Sequence, residues 1–463
     1  MTGLFHKFYL LSPIILQTVG ISLYGLKLYY REYGRKFQRL LEEFERHASM
    51  SAAELEAYQS EKLRLLIAHC YRNVPYYRRI MQERKLTPTD FRSAADLPKL
   101  PVLTRQQMRD YGEQLIAESV RKSDLIVGFS SGTTANPIRI VWDRNVCMVK
   151  TVVDWRQKRQ AGVNPFDRMA YFIGRQIVPA EVKKPPYWRQ NWTLNQLFFS
   201  AFHLSETNLG HYIDRLARFQ PVAIEGFPST LSIVAAYLNR RGESFPVKAV
   251  FTSAEPLLPN QRAAIEKAFV CKVYDFLGMS ERVIFATECH RHEGKHLDID
   301  FGVTELLGED GRPADGLGRI VATGLHNYAQ PLLRYQSSDI SAFYHEPCGC
   351  GRPFPRIQDV TTRDEDTVTT PDGRYLSPSA LGTATKDLEN VEHIQIWQED
   401  LHTIDVRLVP RAGYRDEEGD SIKHSLQTMV GDNVNITVRT VADIPRTSAG
   451  KFRWVVSKVP LKF

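Results

Sequence analysis

The run Phe129-Ser130-Ser131-Gly132-Thr133-Thr134-Ala135-Asn136-Pro137 sets hydroxyl side chains around a single glycine. Such a loop can wrap a phosphate chain, with Gly132 allowing close backbone approach and Ser130, Ser131, Thr133 and Thr134 offering O–H beside N–H donors. It is not the P-loop pattern, because no Gly-Lys-Ser/Thr ending follows. Taken alone, it reads equally well as a polar connection. A second chemical signal lies in the cysteines. Cys348-Gly349-Cys350-Gly351 is a tight turn able to present two thiolates, and Glu288-Cys289-His290-Arg291-His292-Glu293-Gly294-Lys295-His296 lies upstream. One cysteine and one histidine from that segment would complete a Cys₃His zinc site. The competing reading is free thiols beside a surface histidine cluster. Cys70, Cys147 and Cys271 read as small buried apolar residues.

Strands must hold the hydroxyl loop. Leu125-Ile126-Val127 precedes it and the β-prone Ile138 to Trp142 follows, which predicts strand, loop, strand. Beyond it, helical periodicity over 145–160, 207–219, 229–241 and 258–269 alternates with apolar runs at 169–173, 221–225, 248–252 and 271–276. That alternation predicts a layered α/β domain. Upstream, 37–72 has helical spacing, Asn73-Val74-Pro75-Tyr76-Tyr77 breaks it, and 85–103 is punctuated by proline. Pro371-Asp372-Gly373-Arg374-Tyr375 reads as a hairpin turn.

Hydrophobic content of 43% and charged content of 24% are ordinary globular values, and 463 residues suffice for a large domain plus a smaller one. The formal charge of +7 suits an anionic substrate such as ATP, while the scatter of basic residues argues against nucleic-acid binding. Six cysteines are too few for a disulfide scaffold and point to a reducing compartment, the cytoplasm. Phe8 to Leu26 is apolar, but Pro13, Gln17 and Ser22 interrupt it, so it falls short of the ~20 clean residues of a spanning helix. It also lacks a small-residue cleavage site. A helix packed on the protein body is the first reading. Peripheral contact with the inner face of the membrane through residues 8–36 is the second.

Ile444-Pro445-Arg446-Thr447-Ser448-Ala449-Gly450-Lys451-Phe452 lies far downstream of the hydroxyl loop. The two stretches together resemble the adenylate-forming superfamily, whose members activate a carboxylic acid with ATP and usually pass the acyl group to a thiol. Glu61-Lys62-Leu63 through Asn73-Val74-Pro75-Tyr76-Tyr77 resembles the phenylacetate-CoA ligase-like branch, and more closely the CapK-type proteins of capsular polysaccharide loci. The resemblance continues through Lys183-Lys184-Pro185-Pro186-Tyr187-Trp188-Arg189, Gly226-Phe227-Pro228-Ser229 and the stretch Glu281 to Glu305, covering nearly the whole chain. It implies a large N-terminal α/β domain (1–362, with a hydrophobic segment at 1–36) and a small, mobile α+β C-terminal domain (363–463).

It also implies site residues. Ser131, Gly132, Thr133 and Thr134 would cradle the β- and γ-phosphates, although Ala135 replaces a usual glycine and Arg139 stands displaced from a usual lysine. Ser253-Ala254-Glu255-Pro256 resembles the segment lying against adenine, with a capping role as the plainer reading of Glu255. In Leu277-Gly278-Met279-Ser280-Glu281, Ser280 would touch the α-phosphate and Glu281 would hold Mg²⁺, while Leu277 replaces the aromatic that usually stacks on adenine. Phe276 or Tyr274 would substitute for it. Asp339, in Tyr335-Gln336-Ser337-Ser338-Asp339, would accept from the ribose hydroxyls, Arg363 would contact the nucleotide, and Asp366 would be the hinge. Lys451 would bridge the substrate carboxylate and the α-phosphate. The related branch singles out Cys289 and His296 as partners of Cys348 and Cys350 for a structural zinc, with His290 and His292 as alternatives. Trp188, Trp192, Phe198 and Phe202 could line an acid pocket near Gly226 to Ser229, though core packing is the better reading. The expected activity is therefore a magnesium- and ATP-dependent acid–thiol ligase, with coenzyme A as acceptor and surface polysaccharide as context. The alternative is a non-catalytic nucleotide-binding protein that assembles at the membrane.

Overall fold

The computed structural model describes residues 8–129, 138–174, 176–179, 181–308, 310–360, 368–376, 378–382, 384–385, 388, 390–445 and 453–459. Helices α1 (Ile14–Glu32), α2 (Phe37–His47), α3 (Ala52–Asn73), α4 (Pro75–Glu83) and α5 (Arg105–Asp110) lead to a hairpin of β1 (Ile126–Phe129) and β2 (Arg139–Trp142). The helical pattern over 37–72 is cut at Ser51, where Ser51 and Glu54 satisfy each other's backbone N–H groups in a capping box. Pro75 separates α3 from α4 by one residue only, because a proline at the first helical position loses no helical hydrogen bond.

After α6 (Arg144–Gln160) come β3 (Met169–Ile173), β4 (Trp188–Asn191), β5 (Gln196–Ser200), α7 (Glu206–Phe219), β6 (Ala223–Gly226) and α8 (Pro228–Arg240). The chain continues through β7 (Ala249–Ser253), α9 (Pro259–Phe269), β8 (Lys272–Gly278), β9 (Phe285–Glu288) and β10 (Lys295–Leu297). Next are β11 (Gly302–Leu307), β12 (Gly318–Gly324), β13 (Tyr335–Ser341), β14 (Phe343–Tyr344) and β15 (Arg356–Ile357). A ten-stranded sheet runs in the order β14-β15-β10-β9-β8-β7-β6-β3-β5-β4, and its centre, β5-β3-β6-β7-β8, is parallel. Strands β11, β12 and β13 form a separate antiparallel sheet. One face of the large sheet buries Phe199, Ile224 and Val250 against Tyr212, Leu231 and Phe269 of α7, α8 and α9. The other buries Phe251, Phe276 and Phe285 against Phe37 and Phe44 of α2 and Val152 and Trp155 of α6. This is the layered α/β architecture that the alternation of patterns predicts.

Arg156 of α6 is buried between Asp298 (2.9 Å) and Asp300 (2.6 Å), and Asp300 also meets His47 Nδ1 of α2 at 2.8 Å. Burial would push the Asp300 carboxyl up, but Arg156 and His47 hold it down at about 2. The charges lock α2 and α6 to the segment that follows β10.

A second core forms from β16 (Val368–Thr369), β17 (Tyr375–Leu376), β18 (Val391–Asp400), β19 (Thr403–Pro410), α10 (Asp416–Val430), β20 (Asn435–Thr440) and β21 (Val455–Ser457). Its sheet runs β20-β19-β18-β21 and packs on Ile422 and Leu426 of α10. The expected turn at Pro371 to Tyr375 joins the antiparallel β16 and β17, with Gly373 at φ 78°. Phe202 reaches into this core from the large lobe, and its carbonyl accepts Arg374 Nη1 at 3.0 Å.

Candidate active site

Strands β6, β7 and β8 lie side by side in parallel, so the segments that leave their carboxyl ends emerge together. Those segments are Phe227-Pro228-Ser229, Ala254-Glu255-Pro256 and Met279-Ser280-Glu281. The carboxyl edge of a parallel sheet is where ligands bind in open α/β folds. Three of the nine described non-glycine residues with positive φ lie in this region. Ala254 (φ 70°), Arg282 (φ 57°) and Arg334 (φ 52°) all adopt the left-handed form, which in a non-glycine residue costs about 1–3 kcal/mol and gathers at functional sites.

Trp142, at the end of β2, brings the hydroxyl-loop hairpin to this edge. Its indole Nε1 donates to the Ser280 carbonyl at 3.1 Å, and the Arg282 guanidinium lies 4.2 Å from its ring centroid. Across the hairpin Gly128 makes room for the ring, since a Cβ there would sit 2.0 Å from Trp142 Cη2. The chain therefore holds β1 and β2, on either side of residues 130–137, against the Ser280-Glu281 segment.

Glu281 is buried and accepts a hydrogen bond from Tyr335 Oη at 2.9 Å. Burial, then the Glu281 charge, raises the Tyr335 hydroxyl pKa, so it stays a donor. Tyr335 opens β13, and Arg334 before it is fixed by Glu305 (2.9 and 3.0 Å) and by the Leu100 carbonyl (2.6 Å). Further along β13 the pairing jumps from Gln336↔Val321 to Ile340↔Arg319, so Ser337, Ser338 and Asp339 form a bulge. Bulges of this kind re-aim side chains beside functional sites. The Asp339 N–H donates to Ser337 Oγ at 3.0 Å.

Other predicted positions fall as follows. Glu255 accepts from the Ser229 N–H at 3.1 Å, at the amino end of α8, which is the capping geometry. Arg139 opens β2 opposite Phe129 and pairs with Glu113. Ser131, Gly132, Thr133, Thr134, Arg363, Asp366 and Lys451 lie outside the described residues. The aromatic acid pocket is not assembled: Phe202 is fully buried in the C-terminal core, whereas Trp192 is 55% exposed beside α1. Of the two proposed stand-ins for the missing aromatic, Phe276 packs on Phe285 with centroids 5.4 Å apart. Tyr274 instead meets His292 at 4.9 Å.

The structure adds a cleft that pattern reading missed. It holds about 260 Å³ next to Ser280, with walls from Trp142, Phe276 and Phe285 and cations from Lys150 and Arg282. Arg282 Nη1 is buried there with no hydrogen-bond partner among the described residues. The available signal was Arg282 itself, a cation directly after the Ser280-Glu281 pair.

Cys289, His296, Cys348 and Cys350 converge, with one ligand atom from each within 4.8 Å of the others. Cys289 Sγ lies 3.7 Å from Cys348 Sγ, and Cys350 Sγ lies 3.4 Å from His296 Nε2. A tetrahedron with Zn–S near 2.3 Å and Zn–N near 2.0 Å has edges of about 3.5–3.8 Å, so the donor set fits zinc. A disulfide would need about 2.05 Å between sulfurs. His296 Nδ1 donates to the Phe354 carbonyl at 3.0 Å, which leaves the Nε2 lone pair facing the cluster. Burial pushes His296 down to about 4, keeping it neutral near pH 7. Burial pushes the Cys289 thiol up to about 11; Cys348 is held below its ordinary value, against burial, by hydrogen bonds from Cys350 and Cys289. Arg291 N–H and Arg352 N–H donate to Cys289 and Cys350 sulfur at 3.4 and 3.5 Å. Of the alternative ligands, His292 turns to Glu288 (3.0 Å) and His290 is exposed. Cys271, expected to be buried, is half-buried.

The cluster sits at the end of the strands that leave the active edge. Cys289 directly follows β9, the antiparallel partner of β8, and His296 lies in β10. Lys295 bridges Asp275 of β8 (2.9 Å) and Asp359 (2.5 Å), and Asp275 accepts from Thr252 of β7 at 2.7 Å.

Comparison with known proteins agrees with this architecture. The CapK C-terminal domain family matches residues 368–458. Protein CapK of Staphylococcus aureus is 28% identical over 97% of this chain and 98% of its own length. This chain is similar to CapK and to the phenylacetate-CoA ligases. The phenylacetate-coenzyme A ligase of Thermus thermophilus is 26% identical, covering 87% of this chain and 96% of the enzyme. A solved 2-hydroxyisobutyryl-CoA ligase, in complex with 2-HIB-AMP and CoA, superposes with a TM-score of 0.59 at 22% identity, over 89% of this chain and 92% of that one. At that identity the likeness speaks to fold. The residues matched by the CapK C-terminal domain family form the second core of α10 and its sheet.

Proposed function

We propose that this protein is an ATP-dependent adenylate-forming ligase, which converts a carboxylic acid into its acyl-adenylate and passes the acyl group to the thiol of coenzyme A. The observation that carries the reading is the docking of the hydroxyl-loop hairpin, through Trp142, onto Ser280-Glu281 at the carboxyl edge of β8. The likeness to phenylacetate-CoA ligases over most of the chain supports it.

In the first half-reaction a substrate carboxylate oxygen attacks the α-phosphorus of ATP and pyrophosphate leaves. Both reactants are anions, so catalysis rests on charge cancellation and alignment. Ser131, Gly132, Thr133 and Thr134 bind the β- and γ-phosphates, with Arg139 at the foot of the loop. Ser280 contacts the α-phosphate, Glu255 and its backbone border the adenine, and Asp339 accepts from the ribose hydroxyls. Glu281 would hold Mg²⁺, which supplies positive charge at the phosphates when bound. Lys451 spans the carboxylate and the α-phosphate. Arg363 contacts the nucleotide, and Asp366 is the hinge about which the C-terminal lobe turns for the second half-reaction. There the thiolate attacks the acyl carbonyl carbon and AMP leaves. We assign the cleft beside Ser280 to the acid, and surface polysaccharide assembly as the use of the acyl group.

Cys289, His296, Cys348 and Cys350 would hold a structural zinc, since four protein ligands would leave no position open for substrate.

Tyr335→Phe removes the hydrogen bond to Glu281 while keeping the ring. The loss of one hydrogen bond to a charged group, about 1.5–3 kcal/mol, predicts a fall of about 10–150-fold in kcat/KM for magnesium-ATP. Steady-state AMP release in the presence of coenzyme A and an acid panel checks this. An unchanged value would separate Glu281 from the nucleotide. Thioester formation with coenzyme A by the wild type tests the acceptor, and AMP release without thioester would replace it with another nucleophile.

A further inference from the structure

Helix α1 presents the wrong side to water. Its two fully buried residues are Gln17 and Gly25, while Ile15 is 74% exposed, Leu23 62% and Tyr30 64%. At 100° per residue, Ile15, Val19, Leu23, Leu26 and Tyr30 share an arc of about 80°, and all five are exposed. Leu11, just before the helix, is 85% exposed and Phe8 is exposed as well.

The helix is nonetheless firmly seated by its other face. Gln17 Oε1 accepts from Arg189 Nε at 2.6 Å, and the Trp192 N–H donates to Ser22 Oγ at 3.1 Å. A Cβ on Gly25 would lie 2.3 Å from Asn191 Oδ1, so only glycine lets the helix approach β4 this closely. The apolar ridge is therefore held outward by polar contacts beneath it. No helix among the described residues is long and apolar enough to cross a membrane.

Charge decides what covers the ridge. No aspartate or glutamate precedes Glu32, whereas Lys27, Arg35, Lys36, Arg39 and Arg144 are exposed at its basic end. Arg144 lies against the helix, donating to the Tyr30 carbonyl at 2.9 Å. Exposed Trp192 and Tyr29 flank the ridge and Tyr30 lies within it, side chains that favour the lipid–water interface. We infer that α1 is a membrane-surface anchor, its apolar ridge lying in the headgroup region of an anionic bilayer with the basic cluster against the headgroups. The inference is independent of the ligase reading.

The test is co-sedimentation of the full chain with vesicles of phosphatidylcholine alone or with about 30% phosphatidylserine. We expect binding to the anionic vesicles, weakened by salt, and at least tenfold weaker binding by the Ile15→Glu/Leu23→Glu variant. That variant should keep the wild-type melting temperature, which shows that it folds. No binding by the wild type, binding indifferent to phosphatidylserine and salt, or equal binding by the variant would each overturn the proposal. So would a wild-type dimer in sedimentation velocity that the variant converts to monomer, because the ridge would then be covered by a second copy of this chain.

Discussion

Replacing Lys451 with alanine is expected to lower acid-dependent pyrophosphate exchange by about 10²–10³-fold. The magnitude follows from charge: a unit cation about 4 Å from a unit anion, at an effective dielectric near 20, is worth about 4 kcal/mol. In the first half-reaction that cation faces a carboxylate and a phosphate together. After adenylation the acyl carboxylate charge is gone, so Lys451→Ala should transfer acyl groups from preformed acyl-AMP to coenzyme A at a rate close to wild type. Exchange and transfer measured on the same preparation separate a catalytic lysine from a structural one, since misfolding would depress both. Exchange that survives the substitution would remove the tail from the mechanism.

The second large effect concerns stability. Cys350→Ser should leave the purified protein with far less than one zinc per chain and lower its melting transition by roughly 5–10 °C. The cluster ties the turn after β14 to β9 and β10, so losing the metal leaves these segments to the Lys295 pairs, the Arg356 hydrogen bonds and the backbone pairing of β9, β10 and β15. Cys271→Ser, outside the cluster, should leave the metal content unchanged. Metal analysis with differential scanning calorimetry reads both results; a metal-free wild type with the same melting transition would refute the zinc assignment.

Legibility in the sequence varied with how local each signal is. The alternation of β3, β6, β7 and β8 with α6 to α9 is written in short-range periodicity, and these strands and helices appear within a few residues of their expected places, whereas β4, β5 and β9 were not expected. Local chemistry also located the Pro371 to Tyr375 turn. The four-ligand cluster needed a pairing across 59 residues, Cys289 to Cys348, which spacing alone left open between histidines. Glu281 and Asp339 could be named from their motifs, yet not the Tyr335 hydrogen bond or the bulge in β13, because both depend on sheet register. The cleft by Ser280 gathers Lys150, Phe285 and Trp142 from separate strands and helices, and no one-dimensional pattern collects such a set. Aromatic residues near Gly226 suggested a pocket, but Phe202 serves the C-terminal core instead; an apolar side chain does not announce which surface it will cover.

Equilibrium pyrophosphate exchange by the wild-type chain, run across a panel of aromatic and aliphatic carboxylic acids with magnesium-ATP, bears most directly on the central claim. Label should enter ATP with at least one acid and should not do so without acid. Tight ATP binding with no exchange for any acid would contradict the ligase and leave a nucleotide-binding protein that does not adenylate.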